Sequence, residues 1–181
     1  MHFCYFVVVN SEKKIAVFAG SFDPFTVGHL DLVSRGSTLF DELYILVAVN
    51  ASKKCMLSMD RRLELIKKAC AGMDNVKVAS FEGLTVDFMK KVGARFLLRG
   101  VRNGSDMDYE LSVDWNNKLL YPECETVYLS SSREHLMVSS SVVRELLKCG
   151  LAASAEGRKK LKSYVPASIL GDLINELKKN K

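Results

Sequence analysis

Ala19-Gly20-Ser21-Phe22-Asp23-Pro24-Phe25-Thr26-Val27-Gly28-His29 follows an apolar run from Ile15 to Phe18 and leads into apolar-periodic residues at Leu30, Val33, Leu39 and Phe40. Strand, glycine-bearing loop, helix is the arrangement by which parallel α/β proteins hold phosphate, because the helix start presents unpaired N–H donors and the positive end of its dipole. Gly20 lets the backbone approach a ligand, and Ser21 brings a hydroxyl. Asp23-Pro24 is a turn initiator that sets the path of the loop. Gly28 clears space at the helix start, where His29 can aim a ring nitrogen at the same anion. Taken alone, His29 reads as an exposed helix-start histidine with no task; the whole loop around it favours the anion site.

Outward from that loop, short apolar runs alternate with helical spacing. The strand candidates are Ile15–Phe18, Leu43–Val49, Val76–Ser80, Phe96–Leu98 and Thr126–Ser130. Helical spacing appears in Leu63, Ile66, Ala69 and Cys70, in Val86, Met89 and Val92, and from Tyr109 to Leu120. Ser58 is a fitting N-cap, and Gly72 and Gly93 are fitting stops. Five β–α units with short connections predict an α/β fold: a Rossmann-like, doubly wound, five-stranded parallel sheet with helices on both faces. We read residues 1–181 as a single domain, comprising an N-terminal extension (1–14), a basic insertion (151–165) and a C-terminal helix (166–178). Pro166 opens that last helix, and Ile169, Leu170, Leu173, Ile174 and Leu177 form its apolar stripe, expected to cover the sheet.

Such sheets bind ligands beyond the carboxyl ends of their strands, and three further segments are placed there. Asn50-Ala51-Ser52-Lys53-Lys54 follows the second strand, with lysines suited to phosphate as point charges. Arg99-Gly100-Val101-Arg102 follows the fourth, where arginine forks fit phosphate oxygens and Gly100 permits close approach. Val138-Ser139-Ser140-Ser141 precedes a helix, with one serine expected to cap it and the others free to seat a second phosphate. Arg144, one turn in, could add charge. Solvated lysines, surface arginines and plain capping serines are the bland alternatives for each segment alone.

Composition narrows the class. Hydrophobic residues at 48%, charged residues at 26% and a mean hydropathy of +0.05 are those of a folded domain. No apolar run approaches the ~20 residues of a membrane span. Phe3 to Val9 is apolar but lacks a basic flank and a cleavage site, so it is either an extra edge strand or a leader, and not a signal peptide. Five cysteines without C-x-x-C spacing predict reduced thiols and a cytoplasmic protein. The net charge of +5 fits anionic partners without naming them. Absence of G-x-x-x-x-G-K-[ST] and G-x-S-x-G excludes P-loop and α/β-hydrolase chemistry, and no zinc-ligand spacing occurs.

The motifs GSFDPFTVGH, the lysine pair after NAS, LLRGVRNGSDMDYE, NNKL and VSSS resemble bacterial phosphopantetheine adenylyltransferases, within the nucleotidyltransferase superfamily marked by T/H-x-G-H. The resemblance covers Ile15 to about Gly150 and resumes near Pro166. It implies transfer of AMP from ATP to 4′-phosphopantetheine, giving dephospho-coenzyme A and pyrophosphate. Mg²⁺ would be the cofactor, bound through the ATP phosphates and not by protein ligands. By the same resemblance Ser21, Lys53 and Arg99 would hold the acceptor phosphate, with His29, Lys53 and Arg99 as the catalytic set. Thr85 would contact the pantetheine arm. The ATP site would comprise Ser21, Phe22, His29, Gly100, Val101, Arg102, Glu110, His135, Leu136, Met137, Val138, Ser139, Ser140 and Ser141. A homohexamer with coenzyme A feedback, binding neither nucleic acid nor membrane, is the implied context.

Ala19 stands where the family usually has proline, Val27 where it has asparagine, His135 in place of an aromatic, and Trp115 where small or flexible side chains are usual. Two other functions compete. A sibling transferase could act on nicotinamide mononucleotide or an alcohol phosphate, although such enzymes usually carry a different late signature. A nucleic-acid-binding module could use the basic C-terminal third, although no aromatic platform accompanies its lysines.

Overall fold

The computed structural model describes residues 12–48 and 55–179. Five parallel strands, β1 (Ile15–Gly20), β2 (Glu42–Ala48), β3 (Val76–Phe81), β4 (Phe96–Val101) and β5 (Glu125–Ser130), form one sheet in the order β3-β2-β1-β4-β5. Seven α-helices accompany them among the described residues: α1 (Val27–Ser37), α2 (Met59–Ala69), α3 (Thr85–Val92), α4 (Gly104–Leu120), α5 (Ser140–Lys148), α6 (Ala155–Leu161) and α7 (Ala167–Lys179). Strands covered on both faces read as near-continuous apolar runs. In β1 the period of two sends Ala16 and Phe18 into one core and Val17 and Ala19 into the other. The larger core takes residues from α1, α2, α5, α6 and α7; the smaller takes Phe88 and Met89 of α3 with Ala94 and Cys124. The fold is the doubly wound sheet that the sequence predicts.

Several boundaries follow their expected chemistry. The Ser58 side chain accepts from the Arg61 N–H and caps α2, and Gly93 ends α3 in the left-handed conformation. α2 closes at Cys70, before Gly72. Other boundaries are corrected. The fourth strand runs on past Leu98 through Val101, because its ladder with β5 continues through Arg99, Gly100 and Val101. Arg99 and Gly100 are therefore strand residues, held more rigidly than a following loop would hold them. α4 starts at Gly104, well before Tyr109, because Asn103 caps it by accepting from the Asp106 N–H. The second strand begins at Glu42; its expected end at Val49, like the lysine pair and the expected extra strand at 3–9, lies outside the described residues.

The segment read as a basic insertion folds into a 3₁₀ turn (Leu151–Ala153) and α6. Leu161 and Val165 are fully buried in the larger core, and the Tyr164 carbonyl accepts from Val27 N–H, the first donor of α1, at 2.9 Å. In α7, Ile169, Leu170, Leu173 and Ile174 are buried, and the helix packs against α2, with Arg61 bonded to the Asp172 carbonyl and paired with Glu176.

Gly100 sets the spacing between α1 and β4. A Cβ there would lie 2.2 Å from Cδ1 and 3.4 Å from Cδ2 of Leu32, a buried residue of the larger core. Gly100→Ala is expected to cost about 1–3 kcal/mol through forced repacking. A urea midpoint that falls while the m-value is unchanged would show it.

Candidate active site

β1 and β4 are neighbours, yet the chain leaves β1 toward β2 on one side and returns to β4 on the other. Ligands bind at such switch points because the loops above the two strands diverge and leave a crevice. Here the crevice is a cleft of about 390 Å³. The loop after β1 gives it Ser21 and Phe22, α1 gives Gly28 and His29, and β4 gives Arg99 and Gly100. Arg102 follows β4, α4 contributes Asp106, Tyr109 and Glu110, and the last arm brings His135, Val138, Ser139 and Ser140. Thr85 lines an adjacent cavity of about 200 Å³ that shares Ala19, Arg99 and Tyr109 with the cleft. Among the other residues named from sequence, Val101, Leu136, Met137 and Ser141 do not line the cleft, and Lys53 lies outside the described residues. Ser141 Oγ instead accepts from Arg144 Nη2 at 2.9 Å.

The first loop is held from behind. Asp23 is buried, and its carboxylate accepts from Met56 N–H at 2.7 Å and Leu57 N–H at 2.9 Å. Arg144 Nη1 donates to the Asp23 carbonyl at 2.6 Å and Ser140 Oγ to the Pro24 carbonyl at 2.8 Å. Arg144 therefore steadies the loop and does not line the cleft. Ser139 is the capping serine, its side chain accepting from Val142 N–H.

The local structure of His29 fixes its chemical state. Thr26 and His29 form a capping box at the start of α1: the His29 N–H bonds Thr26 Oγ1, and the Thr26 N–H donates to His29 Nδ1 at 3.1 Å. A nitrogen that accepts from an amide carries no proton, so the proton of the neutral ring sits on Nε2. The ring packs among Phe18, Phe22 and Phe25, with Phe22 edge-on at 5.1 Å between centroids. Burial, and secondarily the positive charge of Arg102, lowers its pKa from 6.5 to about 4. His29 is therefore a neutral hydrogen-bond donor at physiological pH and not a cation or a base.

This has a pH signature. Between pH 6.5 and 4 the unfolded chain binds a proton at position 29 that the folded chain refuses, so this group's contribution to stability is present above pH 6.5 and is lost as the pH falls toward 4. An NMR titration of the ring should show its inflection near 4. An inflection near 6.5 would contradict the donor role.

Two arginine–carboxylate pairs are built one turn apart on the first half of α4. Arg99 Nε donates to Glu110 Oε2 at 2.7 Å, Nη2 to Oε1, and Nη1 to the Ala19 carbonyl at 2.9 Å. The pair thus ties β4, α4 and the end of β1 together. Arg102 Nε donates to Asp106 Oδ2 at 2.8 Å, and this bond holds the Asp106 carboxyl below the usual carboxylate range. Asp106 and Tyr109 have no role assigned from sequence. Asp106 and Glu110 stand four apart on one helical face, the spacing that would have flagged them. Among the described residues no group of three or more His, Cys, Asp or Glu side chains could hold a metal ion. Nor is any helix among them long and apolar enough to cross a membrane.

A parallel sheet whose switch-point cleft gathers an imidazole donor, two arginines and two helix starts is suited to holding a nucleotide polyphosphate for attack. The chain's relatives place it in the enzyme class that does so, the nucleotidyltransferases. The cytidylyltransferase-like family profile matches residues 17–146. Over 168 residues the chain is 47% identical to a phosphopantetheine adenylyltransferase of Streptococcus pneumoniae, covering 92% of this chain and 99% of that one. It is 45% identical to another from Limosilactobacillus reuteri over 86% of each chain. The chain belongs to the phosphopantetheine adenylyltransferases of the cytidylyltransferase-like family. The structure of a Plasmodium falciparum nicotinic acid mononucleotide adenylyltransferase complexed with NaAD superposes with a TM-score of 0.62 at 16% identity, over 93% of this chain and 96% of that one, a likeness of fold alone.

Proposed function

We propose that the protein transfers AMP from ATP to 4′-phosphopantetheine in coenzyme A biosynthesis. An acceptor phosphate oxygen attacks the α-phosphorus in line; the bond to the bridging oxygen breaks and pyrophosphate leaves, giving dephospho-coenzyme A. The nucleophile is already an anion, since a phosphate monoester has its second pKa near ~6, so no protein base is needed. Alignment and positive charge are what the protein must supply. The observation that carries this reading is the meeting of His29 and Arg99 at one switch-point cleft, with the Thr85 cavity opening beside Arg99. His29 Nε2–H would bond the α-phosphate as its charge builds, Ser21 and Arg99 would hold the acceptor phosphate with Lys53, and Arg102 would face the polyphosphate. The serine arm from His135 to Ser141 would hold the nucleotide.

The cleft is lined by cationic groups, and its two carboxylates are engaged by arginines. This donor set fits a Mg²⁺ ion carried on the ATP phosphates and not one seated on protein ligands. When bound, the ion would neutralise phosphate charge. Exposed Leu111, Trp115 and Leu119 lie four residues apart on α4, an apolar stripe that supports the hexamer as a further proposal. Coenzyme A feedback and a cytoplasmic location are likewise part of this reading. Pyrophosphate release should require ATP, Mg²⁺ and 4′-phosphopantetheine together. Equal release with nicotinamide mononucleotide or glycerol 3-phosphate would overturn the acceptor assignment.

A further inference from the structure

Arg62, on α2, lies outside the cleft and is only 6% exposed. Its Nη1 donates to the Ser21 carbonyl at 2.8 Å, and its Nε is buried without a partner among the described residues. No carboxylate among the described residues lies within 4.0 Å of it, and residues 1–11, 49–54 and 180–181 contain no Asp or Glu side chain. The nearby buried carboxylate of Asp23 is taken by the Met56 and Leu57 N–H groups. A guanidinium is always charged, and burying it without a counter-ion is unfavourable unless dipoles or an approaching anion compensate.

The Ser21–Phe22 peptide is that dipole. The peptide is trans, so its carbonyl and its N–H point in opposite directions. With the carbonyl turned to Arg62 outside the cleft, the Phe22 N–H is turned away from α2, and Ser21 and Phe22 both line the cleft. Phe22 is buried, yet among the described residues its N–H has no acceptor. Phe22 also has φ +47°, a left-handed conformation that a non-glycine residue keeps only when its surroundings impose it. Its ring folds back over Gly20, where a Cβ would lie 2.9 Å from Phe22 Cζ.

We propose that Arg62 is a positioning residue that fixes and polarises the Ser21–Phe22 peptide, so that the Phe22 N–H serves as a donor to the polyphosphate in the cleft. The proposal rests on the nucleotidyl-transfer reading. Calorimetric titration of the full chain with pyrophosphate and Mg²⁺, with ATP, and with adenosine tests it. Arg62→Gln is expected to weaken pyrophosphate and ATP by about 10- to 100-fold, as loss of a charged hydrogen bond does, and to leave adenosine unchanged. KM for ATP should rise more than kcat falls. Arg62→Lys keeps the charge without the fork; we expect a loss of about 3- to 10-fold confined to the phosphate ligands. It decides the matter where Arg62→Gln does not fold. Wild-type pyrophosphate affinity in the folded variants, or an equal loss of adenosine affinity, overturns the proposal. Failure of the unaltered protein to bind either ATP or pyrophosphate overturns the nucleotidyl-transfer reading itself.

Discussion

His29→Ala is expected to lower kcat by about 10²–10³-fold while KM for ATP changes little, the loss typical of removing one preorganised donor from a developing charge. The structure explains the imbalance. Nε2–H is held in one tautomer by the Thr26 amide, and the ring is held in place by Phe18, Phe22 and Phe25 packed against it. Such a donor needs no reorganisation as negative charge grows, so its benefit falls on the transition state more than on bound ATP. Alanine also opens the capping box at the start of α1, at a cost of ~1 kcal/mol, so kcat is compared well below the melting temperature. Steady-state kinetics of pyrophosphate release at saturating ATP measure the effect. Wild-type turnover in the variant would remove the imidazole from the mechanism.

Arg99→Ala should act twice. It should raise KM for the acceptor far more than KM for ATP, through loss of the guanidinium charge and of the Nη protons that Glu110 and Ala19 leave free. It should also strand the buried Glu110 carboxylate, whose side chain is 9% exposed against 24% for Arg99. Breaking one side of such a pair costs roughly 3 kcal/mol here, the low end of the range because Arg99 keeps some solvent. For a chain of this size that lowers the melting temperature by about 6–12 °C. Arg99→Met with Glu110→Leu separates the two effects, since replacing both partners with apolar groups of similar size is often neutral. The double variant should regain stability without regaining acceptor affinity. A single variant of unchanged melting temperature would show that Glu110 is not held by Arg99 in solution.

The legible part of the site was the part written locally. Thr26 three residues before His29, and a glycine before that histidine, are spacing facts that a helix start turns into geometry. Arg99 was legible as a residue at a strand's carboxyl end, but not as a member of the strand, because pairing with β5 and not apolarity carries β4 on to Val101. Arg62 was invisible. On α2 it is one of two successive arginines, and only burial against the loop after β1 separates it from Arg61, which pairs with Glu64 and Glu176. The docking of the 151–165 segment was hidden for a related reason. Its lysines are conspicuous, while the few residues that dock it, Leu161 and Val165, are ordinary apolar residues whose partners lie far away in the chain.

The alternation of strand and helix, the glycine-bearing loop after β1 and the resemblance of the arginine and serine motifs were determined by the sequence alone, since each depends on residues within a few positions of one another. The tautomer and depressed pKa of His29, the capture of Arg99 by Glu110 and the buried charge of Arg62 behind Ser21 were decided only by the tertiary structure. The physical reason is that burial and charge pairing depend on which distant segments exclude water from a group, and the chain specifies that only once the sheet has closed.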